Sequence, residues 1–133
     1  MTAVPDNGIV HLAASRSVHE VLAHLLSILS TKGIAVFAVV DHSGEAAKVG
    51  FAMRPTKLVI FGNPKAGTPL MIAAPDSALD LQMKILIAEK PNGGTRVSYN
   101  SLAYLQARYR LTTEVLTHIS AVEKIAAAVV SAI

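Results

Sequence analysis

Two segments with strand-like composition, residues 81–89 and 95–99, are separated only by Lys-Pro-Asn-Gly-Gly. The Asn-Gly pair is typical of the tight turns that join the two strands of a β-hairpin. These strands are therefore expected to be antiparallel neighbours in one sheet. Because helical segments occupy much of the remaining chain, the hairpin predicts an α+β fold.

The helix signal is strongest after residue 16. Ser17 and Glu20 have the spacing of a capping box, in which each side chain binds the exposed backbone N–H of the other residue. Apolar residues then recur at steps of three and four, which marks one buried helical face. Gly33 is expected to end this helix. The apolar positions are Val18, Val21, Leu22, Leu25, Leu26 and Leu29.

The other segments complete the predicted order. Residues 9–14, 34–40 and 56–62 are predicted strands, and the continuous apolar run at 34–40 indicates burial on both faces. A short helix or irregular crossover follows the second of these strands. Further helices are expected just before Pro75, from Ser101 with Asn100 as its cap, and from Thr113 to the C-terminus.

This order is β-α-β-(α)-β-α-β-β-α-α, and no repeat or linker divides it. We expect one domain over residues 1–133, with an antiparallel sheet packed against helices. Apolar residues make up 52% of the chain and charged residues 16%. Since monomers rarely expose large apolar patches, and the last helix is apolar nearly all round, this composition predicts a homodimer.

Charge and cysteine content narrow the functional classes. The net charge of +3 is scattered and aromatic residues are few, which disfavours nucleic-acid binding. The absence of cysteine excludes disulfides and thiolate chemistry. No signal peptide and no apolar run long enough for a membrane span are found, so we expect a cytoplasmic protein.

The segment Phe-Gly-Asn-Pro-Lys-Ala-Gly-Thr-Pro-Leu-Met, residues 61–71, has the composition of a functional loop. Gly62 and Gly67 have the glycine spacing of a P-loop, but Thr68-Pro69 stands where that motif needs lysine and a hydroxyl residue. The segment is better explained as a turn at Asn63-Pro64, with a positive φ angle at Gly67, followed by a helix that Thr68 caps. An alternative is that free N–H groups at this helix start, beside Lys65, bind an anion.

Together with residues 40–46, 55–60, 78–89 and 97–109, this segment resembles family 302 of the domains of unknown function. The likeness runs in order from about Ser17 to Leu111, and Gln82 stands where the family usually has proline. The resemblance implies a TATA-binding-protein-like α+β fold with a curved antiparallel sheet. It implies no reaction, because the family has no assigned activity.

Seven residues are candidate ligand-binding residues. Lys84 lies in an apolar strand and could act as a base or imine former, or could simply pair with Asp80 or Glu89. His42 follows a strand and, with Glu45, could form half of a metal site or an oriented base; alternatively it caps a helix. No second histidine has supporting spacing, so no metal site is predicted. The seven are His42, Asn63, Lys65, Thr68, Lys84, Glu89 and Tyr99.

These residues predict a small binding module with a cleft between sheet and helices for a small anionic or polar molecule. The sequence leaves any cofactor unknown and contains no recognisable catalytic triad. One alternative is an acid/base enzyme, a lyase, isomerase or hydrolase that uses His42 or Lys84. Another is a protein-interaction module that uses the last helix.

Overall fold

The structure is a computed structural model that describes residues 7–131, without the side chains of Val115 and His118. Its strands are β1 (Ile9–Ala14), β2 (Ala35–Asp41), β3 (Thr56–Gly62), β4 (Met83–Glu89) and β5 (Thr95–Asn100). Its α-helices are α1 (Val18–Thr31), α2 (His42–Lys48), α3 (Pro64–Ala73), α4 (Leu102–Tyr109), α5 (Thr113–Leu116) and α6 (Ala121–Ser131). Short 3-10 turns lie at Pro75–Leu79 and Thr117–Ile119.

The five strands form one antiparallel sheet in the order β1-β5-β4-β3-β2. The predicted hairpin is confirmed, because β4 and β5 pair with each other and Lys90 N–H donates to the Gly94 carbonyl across the turn. The α+β fold is therefore confirmed.

The hydrophobic core lies between one face of the sheet and the helices α1 and α6. Both helices contact the sheet and each other. Each presents an apolar stripe at steps of three and four, as an amphipathic helix does when it covers a sheet. The fully or nearly fully buried core residues include Val21, Leu25 and Leu29 of α1, Val122, Ile125 and Val129 of α6, and Val59, Phe61, Ile85, Ile87 and Val97 of the sheet.

The two ends of α1 form as predicted. The Ser17 hydroxyl accepts from Glu20 N–H at 3.1 Å, and the Glu20 carboxylate accepts from Ser17 N–H at 3.3 Å, which completes the capping box. At the other end Gly33 has φ of +69°, and Ile34 N–H donates to the Leu29 carbonyl. This glycine-terminated ending leaves the chain pointing into β2.

Strand β2 is not buried on both faces, so that prediction was wrong. Val36, Phe37 and Val39 are 40%, 47% and 43% exposed. The strand lies at the edge of the sheet with β3 as its partner, and its register shifts between Val36 and Ala38. A continuous apolar run is typical of a strand in the interior of a sheet. β2 is instead an edge strand, with β3 as its neighbour on one side and no strand on the other in the described part of the chain.

The last helix is not continuous, which corrects a second prediction. α5 ends at Leu116, a 3-10 turn follows, and α6 begins at Ala121. The apolar character of α6 is explained within one chain, because the helix packs against α1, β1 and β5 in the core. The predicted helical end at residues 132–133 and the side chain of Val115 lie outside what the structure describes.

Caps fix the start of two further helices. Ser101, not Asn100, caps α4, since its hydroxyl accepts from Tyr104 N–H at 3.1 Å and Asn100 is the last residue of β5. Asp41 caps α2 by accepting from Gly44 N–H at 2.9 Å, and it also pairs with Lys57 at 2.9 Å. The Gly44 N–H, then Lys57 and the Ser43 hydroxyl, lower the pKa of Asp41 to about 2.

Candidate functional site

Residues 61–71, called the motif segment from here on, form the junction between β3 and α3. Asn63 is the N-cap, and its side-chain oxygen accepts from Lys65 N–H at 3.0 Å. Pro64 occupies the first helical position, where its missing N–H has no cost. α3 therefore begins five residues earlier than predicted, and Thr68 is not its cap. The Asn63-Pro64 pair was predicted to begin a turn. It begins a helix instead, and the Asn63 side chain accepts a backbone N–H bond there as it would in a turn.

The N–H groups at this helix start are engaged by the chain itself. Lys65 N–H donates to the Asn63 side chain, while Ala66 and Gly67 N–H donate to the Asn63 carbonyl at 2.9 Å. An anion at this point would have to displace these bonds. The anion alternative for residues 65–67 thus lacks the free donors on which it depended.

Gly67 does not have the positive φ angle that was predicted for it. The described glycines with positive φ are Gly8, Gly33, Gly50, Gly93 and Gly94. Gly67 lies inside α3, and a Cβ atom added to it would approach only the Met71 Cε atom, at 4.0 Å. The reason for glycine here is thus space beside the helix rather than backbone conformation.

That space belongs to a cavity of about 220 Å³ between the β2–β3 end of the sheet, α3 and the segment before β4. No charged residue lines it, and its walls are mainly apolar. Seven of its lining residues come from the motif segment itself. The full lining is Phe37, Gly62, Asn63, Pro64, Ala66, Gly67, Thr68, Met71, Leu81, Gln82, Met83 and Ile119.

Backbone proximity shapes one wall of this motif cavity. The partly exposed Phe37 ring lies over Gly62, where an added Cβ atom would come within 3.3 Å of the ring. A larger residue at 62 would push the ring away, because contacts of this length leave little room. Gly62 and Gly67 together keep the cavity open from two sides.

The seven predicted site residues do not form one site. Asn63 and Thr68 line the motif cavity, whereas Lys65 is exposed and does not line it. Lys84 and Tyr99 border a separate recess on the sheet. Glu89 borders a third recess near residues 52–56, and His42 is exposed at the start of α2.

His42 and Lys84 are too far apart for shared acid/base chemistry. Lys84 pairs with Ile60 of β3, whereas Asp41, directly before His42, pairs with Lys57 at the other end of that strand. Three residues along a strand and two strands across separate their backbones by about 10 Å in each direction. Acid/base partners must approach to hydrogen-bond distance or share one water.

The proposed partner of His42 is also engaged elsewhere. Glu45 accepts from Lys48 at 2.8 Å. Over residues 7–131, excluding the two undescribed side chains, no group of three His, Cys, Asp or Glu residues could hold a metal ion. The helix-capping role considered for His42 belongs instead to Asp41, as its bond to Gly44 shows.

Asp80 and Arg108 form a polar cluster that ties α4 to the start of β4. Arg108 Nη1 lies 3.0 Å from an Asp80 oxygen and donates to the Tyr104 hydroxyl at 3.1 Å. The Tyr109 hydroxyl donates to the same Asp80 oxygen, and burial followed by this bond raises the pKa of Tyr109. Lys84 Nζ lies 3.9 Å from the other Asp80 oxygen. All of these bonds join residues of the chain to one another, so the cluster has a structural role.

Sequence reasoning missed the apolar half of the motif cavity. Phe37, the pair Leu81 and Met83, and Ile119 come from three separate segments, and each is an ordinary apolar residue in the sequence. Met71 was the one such residue with a local signal, because it closes the motif that also supplies Gly67.

Comparison with known proteins places this fold in a family. The family profile described as "Domain of unknown function DUF302" matches residues 10–132. The chain therefore belongs to this family, as the motif resemblance predicted. The "uncharacterized conserved protein DUF302" from Bacillus stearothermophilus has a similar fold: the TM-score is 0.77 at 16% identity, over 95% of this chain and 98% of that one.

Curated relatives match over part of their length. "Fluoride-specific ion channel FluC 1" of Brucella suis and "Fluoride-specific ion channel FluC 2" of Brucella melitensis are each 34% identical over 111 residues, which is 84% of this chain. The chain spans 44% and 41% of those two proteins. In the described part of this chain, no helix is both long and apolar enough to cross a membrane.

Proposed function

We propose that this protein is a small-molecule-binding module whose ligand occupies the motif cavity. The observation that carries the proposal is that the motif typical of the family, rather than scattered residues, supplies most of the lining. Concave, mainly apolar sites with a few polar groups are the usual form of a ligand site. Gly67 also supports a ligand in the cavity. Neither a positive φ angle nor a close contact requires glycine at this position, so its lack of a side chain mainly leaves space in the cavity.

The proposed ligand is more apolar than the sequence predicted. The lining has no charge that would pair with an anion, and its polar side chains are Asn63, Thr68 and Gln82. A cavity of about 150 Å³ lined by apolar side chains can hold benzene. The motif cavity, at about 220 Å³, therefore suits a substituted ring or a branched aliphatic group with one hydrogen-bonding substituent.

Filling the cavity from Gly67 tests this proposal. Gly67→Leu should weaken binding of indole, used as a probe, at least tenfold, because the new side chain occupies the ligand volume. The fold should tolerate the change, since a helical glycine is replaced by a better helix former and nothing lies within 4 Å except Met71 Cε. Amide chemical shifts of residues 61–71 during an indole titration give the affinity.

Ala73→Leu is the matched control, because Ala73 is exposed in the same helix and does not line the cavity. It should bind indole as the unchanged protein does. Equal loss of binding in both variants, or no saturable shift in the unchanged protein, would contradict the proposed site.

We also propose that the module is a homodimer, with the free edge of β2 as its contact. Val36, Phe37 and Val39 are exposed there, and no charged residue stands between Ala35 and Val40. Natural proteins usually protect an edge strand of this kind with charge or proline, or cover it. Sedimentation velocity should give the mass of a dimer, and Val39→Lys should shift the mass to that of a monomer while the fold is retained.

The Brucella relatives raise a second candidate, a fluoride-binding domain that accompanies a fluoride channel. Less than half of each relative matches this chain, so the named activity can reside in the remaining part of those proteins. Titration with sodium fluoride, with sodium chloride as control, separates the two candidates. Fluoride-specific amide shifts would favour the second, whereas indole-specific shifts in residues 61–71 would favour the first.

A further inference from the structure

The helices α1 and α6 cover one face of the sheet, and neither of them covers the opposite face, here called the outer face. Strand residues alternate between faces, so each core residue of the sheet has neighbours that point the other way. This outer face includes Leu58, Ile60 and Leu86, which are only half-buried although they lie on the central strands β3 and β4. Half-buried aliphatic residues at the centre of a sheet indicate a surface suited to a bound group.

The charges on this outer face have one sign. Lys84 and Arg96 are its charged residues, while no Asp or Glu occupies a described strand position on this face. From the pairing register and strand alternation, the outward positions are Ile9, His11, Ala13, Ala35, Ala38, Val40, Thr56, Leu58, Ile60, Gly62, Lys84, Leu86, Ala88, Arg96, Ser98 and Asn100.

A recess of about 160 Å³ lies at the centre of the outer face. Leu58, Leu86 and Ile9 supply its apolar lining, and Lys84, Ser98 and Asn100 supply polar groups. The Ser98 side chain is held by a 2.6 Å hydrogen bond to His11 Nδ1, which fixes the hydroxyl beside the recess.

Lys84 is incompletely paired within the chain. Its Nζ lies 3.9 Å from Asp80, beyond hydrogen-bond length, while Asp80 already accepts from Arg108 and Tyr109. Its side chain is 29% exposed and emerges between aliphatic residues. The Lys84 ammonium group therefore has N–H donors available for a ligand, and the aliphatic part of its side chain is largely shielded from water.

We propose that this recess is a second binding site, which takes a small aliphatic carboxylate. The carboxylate pairs with Lys84 Nζ in a charge-assisted hydrogen bond, with the Asn100 amide as a further donor, and the aliphatic chain packs on Leu58 and Leu86. A second copy of the same face does not fit, because a two-fold contact would bring the Lys84 and Arg96 charges together, and the nearby carboxylate of Asp80 is already bound by Arg108 and Tyr109.

The size of the recess selects short chains. Its volume corresponds to about five water-sized groups, and its open side admits a few more atoms. Hexanoate is therefore the probe. Hexan-1-ol has the same chain without the charge, and acetate has the charge without the chain.

The test is a titration of the full chain with these three compounds, followed by the amide shifts of residues 84–86 and 98–100. Hexanoate should saturate these shifts at a concentration at least tenfold lower than hexan-1-ol or acetate does, because only hexanoate uses both sides of the recess. Lys84→Met keeps the apolar stem and should weaken hexanoate binding about tenfold. Lys124→Met, at an exposed lysine of α6, should leave the affinity unchanged.

Three outcomes overturn the proposal. They are equal affinity for hexanoate and hexan-1-ol, unchanged hexanoate affinity in Lys84→Met, and outer-face shifts that follow protein concentration alone, which would mean that a second copy covers the face. The motif cavity is read separately through residues 61–71 with indole, so failure of either site leaves the other test intact.

Discussion

Phe61→Ala should lower the free energy of unfolding by about 3–5 kcal/mol, a large part of the stability of a small domain. Phe61 lies on the core face of β3 and is fully buried. Its neighbours in the register are Val36 of β2 and Met83 of β4, so strands flank it on both sides. Truncation to alanine loses the free energy gained when the ring moves from water into the core. It also leaves a cavity, because the strands on both sides are too rigid to close it.

The chain offers two matched controls, since it has three phenylalanines. Phe37 is 47% exposed and Phe51 is 70% exposed. Phe37→Ala should cost about 1 kcal/mol and Phe51→Ala about 0.5 kcal/mol or less, because much of each ring is already in water. Urea denaturation of the three variants gives the order, and a Phe61→Ala cost no greater than that of Phe51→Ala would contradict the core described above.

Gly8→Ala should cost about 2–4 kcal/mol although it adds a single methyl group. Gly8 has φ of +79°, and a Cβ atom there would lie 2.5 Å from two ring atoms of Tyr104. The ring cannot easily move, because Tyr104 is tied at its N–H by Ser101 and at its hydroxyl by Arg108. The Gly8 carbonyl also accepts from Ser101 N–H at 2.7 Å, so a shift of this backbone would disturb the α4 start.

Gly33→Ala separates the two causes of this cost. Gly33 has a similar φ of +69°, but an added Cβ atom there has nothing within 4 Å. Gly33→Ala should therefore cost only the left-handed strain, about 1–2 kcal/mol. Thermal or urea unfolding of both variants measures the difference, and equal costs would show that the Tyr104 contact yields without penalty.

Local signals in the sequence were sufficient for most elements. The capping box at Ser17 and Glu20 and the glycine ending at Gly33 are satisfied by residues within a few positions, and both appear in the structure. The Asn-Gly hairpin is equally local. The errors concern helix starts with two candidate caps: Asn63, not Thr68 five residues later, caps α3, and Ser101, not the adjacent Asn100, caps α4.

The candidate site could be predicted only in part. Asn63 and Thr68 were found because the motif that contains them is contiguous. Lys84, Glu89, Tyr99 and His42 were grouped with them as polar residues of related segments, but the strand order β1-β5-β4-β3-β2 distributes these residues over three other places. Strand order depends on long-range pairing, which no local pattern encodes.

The sequence by itself determined the strands, the helix α1, the antiparallel hairpin and the family, because periodicity, caps and motifs act over a few residues. The tertiary structure decided that β2 lies at an edge with its apolar side chains exposed, and that α6 is buried within the chain. It also decided that Gly67 faces an apolar cavity, and that Lys84 faces the opposite side of the sheet from the core. Burial depends on which elements become neighbours, and that is set by the packing of the whole chain.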